Sequence, residues 1–359
     1  MSTWPDKRIV DLLGIEVPIV LAPMAGPGTA ELAIAVSEAG GLGSLPCAQL
    51  SVEQARDALK LIRSRTSRPF NVNFFCHTTP QPEPEREAKW RERLAPYYAE
   101  LGLDLKAALG APARKPFDAE FCALIEEARP SVVSFHFGLP PKPLLERVKA
   151  TGAKVIASAT TVAEARWLEE RGCDAVVAMG AEAGGHRGNF LSMDAARQVG
   201  TFALVPQVAD AVKVPVIAAG AVADARGIAA AFALGASAVQ IGTAYLFCPE
   251  AKVPPVHLKA LQSANDDDTV LTNVFTGRPA RGIVNRIIHD LGPISTIAPA
   301  FPLASSATGP LRTKAEAAGS RDFSTLWSGQ AARLAHRGLG ARELTLALAE
   351  EALARINSR

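Results

Sequence analysis

The sequence predicts an α/β protein built on a closed (β/α)8 barrel. Short, largely apolar, β-branched runs recur eight times between residues 17 and 246. Alanine-rich helical stretches separate them, and glycine and polar residues gather just beyond the strand ends. The strand runs fall at 18–22, 41–45, 70–74, 131–135, 154–157, 175–179, 214–219 and 238–241. Strands apolar on both faces suit a parallel sheet with side chains packed inside it and helices outside. The helical patterns at 29–39, 52–64, 118–128, 142–151, 161–171 and 224–234 place apolar residues three and four apart, as helices covering a sheet require. A doubly wound open sheet is the alternative that the same runs leave.

Two insertions divide this pattern. The barrel takes residues 1–75 and 118–248. The first insertion, 76–117, opens on the proline-rich Thr79-Pro80-Gln81-Pro82-Glu83-Pro84 and continues as an amphipathic helix with Trp90, Leu94, Tyr97 and Leu101 on one face. The second is the C-terminal extension, 249–359, with a hairpin expected around Thr276-Gly277-Arg278-Pro279, a turn-rich stretch over 298–319 and a closing helix at 341–356. Insertions at the C-terminal ends of barrel strands surround the mouth, so both are candidate lids. Surface decoration or a dimer contact is the plainer reading, and it leaves a homodimer open.

Composition excludes several classes. Hydrophobic residues are 48% and charged residues 21%, which suits a globular chain and not a disordered one. A net charge of +2, from 38 basic and 36 acidic residues without a basic block, gives no footprint for nucleic acid or a membrane surface. No apolar run reaches the ~20 residues of a bilayer span. Asp11 and Glu16 interrupt the apolar core that a signal peptide would need. The five cysteines are widely spaced without a Cys-x-x-Cys, so neither zinc nor a disulfide framework is expected. Asp266-Asp267-Asp268 reads as a solvated turn, and no metal site is expected. The chain reads as cytoplasmic.

The richest stretch for chemistry is Glu182-Ala183-Gly184-Gly185-His186-Arg187-Gly188, just after the sixth strand run. Glycines let a backbone approach a ligand closely, and histidine exchanges protons near neutrality. A lone loop histidine is usually structural; its place at a barrel mouth favours a catalytic role for His186. Ala22-Pro23-Met24-Ala25-Gly26 follows strand one as a narrow turn that could lie against a flat ligand. Asn71 and Asn73 share a face of strand three and offer amides suited to a ring with mixed polar edges, or simply to capping a turn. Gly220 and Ala221 end strand seven, and Gln240-Ile241-Gly242-Thr243 ends strand eight, where such barrels bind phosphate. These positions fit a phosphorylated planar cofactor such as FMN, and equally a phosphosugar. No Gly-x-Gly-x-x-Gly follows an early strand, so a Rossmann dinucleotide site is not supported.

On Ala22–Gly26, 70–75 (Phe-Asn-Val-Asn-Phe-Phe), 182–188 and 240–246 (Gln-Ile-Gly-Thr-Ala-Tyr-Leu), the chain resembles the nitronate monooxygenases, formerly 2-nitropropane dioxygenases, from Gly14 to about Leu334. Phe323, Leu326, Trp327 and Gln330 fit members of this length. The resemblance implies an FMN-dependent barrel that uses O2 to oxidise alkyl nitronates, propionate 3-nitronate among them, to carbonyl compounds and nitrite. It implies His186 as the catalytic histidine near the flavin N5 edge. It implies Asn71, Gly184 and Gly185 beside FMN, Ala22, Pro23 and Met24 behind its ring, and Gly220, Ala221, Gln240, Ile241, Gly242 and Thr243 at its phosphate. Relatives commonly carry Gln where this chain has Met179, which removes a side-chain hydrogen-bond partner. They carry Gly where it has Ala221, a change of little cost if φ stays negative. Arg187 reads as a structural salt bridge or a steering charge. An NAD(P)H-dependent quinone or enoyl reductase is the rival on the same barrel. A non-redox phosphosugar enzyme would need Glu182 as its acid or base.

Overall fold

The computed structural model describes residues 3–106 and 114–358. Its strands are β1 (Ile19–Leu21), β2 (Gly43–Pro46), β3 (Phe70–Phe75), β4 (Val132–His136), β5 (Lys154–Ala159), β6 (Ala175–Met179), β7 (Gly185–His186), β8 (Val216–Ala219), β9 (Ala238–Ile241), β10 (Thr269–Thr272) and β11 (Ala280–Ile283). Eight of them pair in parallel in the order β1-β9-β8-β6-β5-β4-β3-β2. The ring closes at Leu42, which donates to Ile19 O (2.9 Å) and accepts from Leu21 N (2.9 Å). An open doubly wound sheet would have left these edges apart, so the (β/α)8 barrel is the fold.

Helix starts follow from side chains already visible in the sequence. Thr29, Ser51, Asp118, Thr161 and Asp224 each accept from a first-turn N–H of the helix that follows. The outer faces of the strands and the inner faces of these helices make the main core, with Ile19, Val72, Val133, Val155, Val176 and Val239 among its buried residues. The barrel interior is filled at its N-terminal end by Val20, Leu42, Val132, Ile156, Val177 and Ile217, and the short helix Arg8–Leu13 plugs that end with Ile9 and Leu13. One end of the barrel is therefore sealed, and the ligand space lies at the other.

The two insertions share a second core. Helix Pro84–Glu100 begins on its proline and buries Trp90, Leu94, Tyr97 and Tyr98. They pack with Val274, Phe275, Ile287, Ile288, Leu311 and Phe323 of the extension. The hairpin is β10 and β11, joined through 273–279. The stretch expected to be turn-rich instead contains helix Ala304–Ala317, with Pro310 inside it. Proline removes one helical N–H and glycine weakens a helix. Burial of Ala307, Thr308, Leu311 and Ala315 against the second core outweighs both. The extension ends in helix Ala341–Asn357. Among the described residues, no helix is long and apolar enough to cross a membrane.

Candidate functional site

A cavity of about 670 Å³ opens between the C-terminal ends of the strands and the second core. Ala22, Pro23, Met24, Met179, Gly184, Gly185, His186, Gly220, Ala221, Gln240, Gly242 and Thr243 line it together. Two expected residues do not. Ile241 is fully buried in the outer core, because neighbours along a strand face opposite sides and Gln240 takes the inner one. Asn71 lies one layer down inside the barrel, where its Nδ2 donates to Ser44 Oγ (3.0 Å) and Ser134 Oγ (2.9 Å). Asn73, two residues and roughly 6.6 Å further along the strand, is the amide that reaches the cavity.

His186 is held by structure from both insertion and barrel. Gly185–His186 forms β7, which pairs antiparallel with β11, Ala280 opposite His186 and Arg281 opposite Gly185. The adjacent glycines serve different needs. A Cβ on Gly184 would come within 2.5 Å of Gly329 N and 2.6 Å of Ser328 C, so its role is close approach of the returning C-terminal chain. Gly185 has φ +72° and nothing within 4 Å of a built Cβ, so it gives the turn a left-handed residue beside open space.

The neighbouring polar groups are spent on the same loop. Arg187 is fully buried, and its guanidinium donates to Met179 O (2.7 Å) and Gln198 Oε1 (2.7 Å). It makes neither a salt bridge nor a steering charge: carbonyl acceptors on strand β6 and its loop take its protons. Arg278 donates to Arg187 O and Asn189 O while its guanidinium lies 3.9 Å from the Phe137 ring centroid. Glu164, 1% exposed, accepts from Thr160 N (2.7 Å) and Thr160 Oγ1 (2.8 Å) on one oxygen. Its other oxygen accepts from Phe190 N (2.6 Å) and Leu191 N (3.1 Å). His136 Nε2 donates to His186 O (3.1 Å), which leaves Nδ1 to accept from Ser158 Oγ (2.6 Å). His136 and Ser158 line the cavity and were not among the expected site residues; each is a polar residue at the end of an apolar strand, which is the signal that marks them.

The site is aromatic around its histidine. Phe301 (ring centroids 5.2 Å apart) and Trp327 (5.5 Å) pack edge-on to His186. Burial holds the His186 pKa well below its usual value, and the positive charges of Arg114 and Arg278 push the same way. Burial also draws His136 down to about 3 and His257, which donates to Trp327 O (3.0 Å), down to about 4. These imidazoles are neutral at neutral pH. Glu182 lines the cavity, yet both its oxygens accept from Thr201 N (3.0 and 2.9 Å) and one from Thr201 Oγ1 (2.8 Å). It caps helix Thr201–Ala211, and is poorly placed to serve as a non-redox acid or base.

At the C-terminal end of β8, Gly220 has φ +110° and Ala221 φ +57°. The condition for a low cost at Ala221, a negative φ, is not met: the backbone enters the left-handed region that favours glycine, at a cost of roughly 1 kcal/mol for an alanine. Gly242 leaves 3.2 Å between its built Cβ and Ala22 Cβ, so the ends of β9 and β1 close on each other. Thr243 Oγ1 accepts from Gly329 N (3.0 Å), which leaves its proton free to donate.

The chain matches the nitronate monooxygenase family over residues 6–351. A nitronate monooxygenase from Pseudomonas aeruginosa is 44% identical over 346 residues, 96% of this chain and 98% of the relative. One from Paraburkholderia phytofirmans is 41% identical, over 98% and 96%. A solved nitroalkane oxidase from Streptomyces ansochromogenes superposes with a TM-score of 0.87 at 39% identity, over 98% of this chain and 99% of that one. FabK from Thermotoga maritima gives a TM-score of 0.75 at 31% identity, over 99% and 98%. Near-complete coverage, together with the glycine–histidine strand at the barrel mouth, places this oxidoreductase in the nitronate monooxygenase family.

Proposed function

We propose that the protein binds FMN and oxidises alkyl nitronates, propionate 3-nitronate among them, with O2 to carbonyl compounds and nitrite. The observation that carries this reading is His186, neutral and walled by aromatic rings, beside a cavity whose remaining walls suit a flat phosphorylated ligand. The cavity volume is in the range of cofactor sites. Ala22, Pro23 and Met24 would back the ring, with Gly184 and Gly185 across from them. Gly220, Ala221, Gln240, Gly242 and Thr243 would hold the phosphate. Met179 offers only a thioether where relatives offer an amide, so Asn73 is the inner amide left to reach a ring edge. When bound, FMN supplies the electron-accepting ring that O2 restores.

The chain's own part is to bind, orient and keep dry. The Thr276 hydroxyl donates to Arg278 O (3.4 Å), which frees its oxygen to accept from His186 Nε2–H at 2.9 Å. Nδ1 is then the unprotonated nitrogen of His186. A nitronate arrives already deprotonated at carbon and needs only orientation. A neutral nitroalkane would need its α-proton taken, which a neutral His186 could do. Phe301 and Trp327 exclude water around that exchange.

Anaerobic stopped-flow absorbance tests this. Mixing with propionate 3-nitronate is expected to bleach the flavin rapidly, and mixing with NADH to leave it unchanged. Bleaching by NADH alone would move the assignment to an NAD(P)H-dependent quinone or enoyl reductase. His186→Asn is expected to cut turnover about a hundredfold or more while FMN stays bound; undiminished turnover would remove His186 from its role.

A further inference from the structure

The wall of the cavity opposite the barrel carries charge that the reaction above does not use. Arg114, at the end of the first insertion, and Arg312, on helix Ala304–Ala317, both line it. Arg114 Nε is buried with no hydrogen-bond partner among the described residues. Neither guanidinium forms an ion pair among those residues. Of the acidic groups that share the cavity, Glu182 accepts from Thr201 through both oxygens and Glu316 accepts from the Ser324 hydroxyl through Oε1 (2.8 Å). Two like charges facing one partly desolvated space repel unless an anion sits between them. Burial, followed by the charge of Arg312, lowers Arg114 to about 10, so the Arg114 guanidinium remains cationic at neutral pH.

The position relative to the histidine is fixed by Phe301. The Arg114 guanidinium carbon lies 5.9 Å from the Phe301 ring centroid, and the His186 ring lies 5.2 Å from it. The guanidinium and the imidazole are therefore no more than about 11 Å apart, those two distances laid end to end. A small molecule with a reacting carbon at one end and an anion at the other spans part of that gap, and the carboxylate can accept from a planar N–H fork.

We propose that Arg114 and Arg312 form an anion subsite on the second core, holding a carboxylate that the substrate carries away from its nitronate carbon. This rests on the nitronate reading and narrows it: the barrel supplies the chemistry, and the insertions select acids over simple alkyl nitronates.

The test compares propionate 3-nitronate with propyl-1-nitronate, which has no carboxylate, in the holoenzyme and in Arg114→Gln and Arg312→Gln. The ratio of kcat/KM for propionate 3-nitronate to that for propyl-1-nitronate is expected to fall about ten- to a hundredfold in each variant, chiefly through KM. Arg114→Lys and Arg312→Lys should recover part of it. An unchanged ratio, or equal loss on both substrates, overturns the subsite. Calorimetric titration with 3-nitropropionate and with 1-nitropropane supplies a readout independent of turnover. Binding of the acid should weaken in the variants, while equal weakening for both compounds, or for neither, again overturns it. If the wild type oxidises neither nitronate yet binds the acid through these arginines, the reaction assignment fails and the subsite stands.

Discussion

The loop that carries His186 and the wall that carries Arg114 and Arg312 face the same cavity, yet they are held by opposite means. The loop is fastened by directed bonds: Glu164 to Phe190 and Leu191 N–H, Arg278 to two carbonyls, His136 to the carbonyl of His186 itself. Helix Ala304–Ala317, which carries Arg312, stands on a greasy cluster of Trp90, Leu94, Phe275, Leu311 and Phe323, and Arg114 lies against the Phe301 ring. Directed bonds fix a group to within fractions of an ångström, as proton exchange requires. Apolar packing fixes a volume and tolerates repacking, as selection among substrates requires. On the proposed function, position-critical chemistry rests on the first kind of support and discrimination on the second.

That contrast can be broken from either side. The largest effect per residue is expected on the apolar side. Trp90 is 1% exposed, and Trp90→Ala should remove about 3–5 kcal/mol of local stability. Measured by thermal unfolding and by the ratio of kcat/KM for propionate 3-nitronate to that for propyl-1-nitronate, it should lower Tm and erode selectivity more than kcat on propyl-1-nitronate. Loss of kcat without loss of selectivity would reverse the roles assigned to the two regions. Glu164→Gln attacks the other side, turning one accepting oxygen into a donor that faces N–H groups. A destabilisation of about 2–3 kcal/mol is expected, with kcat falling on both nitronates and their ratio preserved.

Acid should loosen both regions through their neutral imidazoles. His257 has a folded pKa of about 4 against 6.5 for an ordinary histidine. The unfolded chain thus binds the proton more readily, and this stability is complete above 6.5 and lost as pH falls toward about 4. About 1–2 kcal/mol should disappear per such group between neutrality and about pH 5. Thermal unfolding of the wild type and His257→Gln across that range checks the sign: the variant should show the shallower decline, and parallel curves would exclude His257 as a contributor. The smallest effect is at the turn after β8, where Ala221→Gly should raise stability by up to about 1 kcal/mol by relieving its φ of +57°. A lower Tm would show that the turn gains more from alanine's stiffness than it loses in strain.

The barrel was legible because each strand is a short apolar run and each helix repeats every three to four residues; both periods survive in one chain. The glycine–histidine loop was legible because its residue types are unusual beside a strand. The short strand β7 was not, since two residues carry no periodicity and their partner, β11, lies about a hundred positions away. Helix Ala304–Ala317 was hidden by Gly309 and Pro310, whose local preference is overruled only by burial that sequence cannot display. Arg312 was hidden with it. The resemblance implies a cofactor contact for Asn71, and period two gives the face of a strand but not the depth along the barrel, where Asn71 lies one layer below the cavity. Met179 and Ala221 were legible as departures, although the sign of φ at Ala221 was not.

The three-stranded sheet β10-β11-β7 joins the hairpin of the C-terminal extension to the two residues that present the imidazole. Its consequence is one of inheritance. An insertion on a barrel is ordinarily a module that a lineage can lengthen, trade or discard while the catalytic group stays where the barrel put it. Here the backbone of His186 is a strand of the inserted hairpin's own sheet, so exchanging that hairpin re-aims the imidazole. On the proposed function, specificity and catalysis are therefore tied together in this fold, and a graft of the extension from a relative is expected to preserve the aim of His186 only when the strand bearing residues 185–186 travels with it.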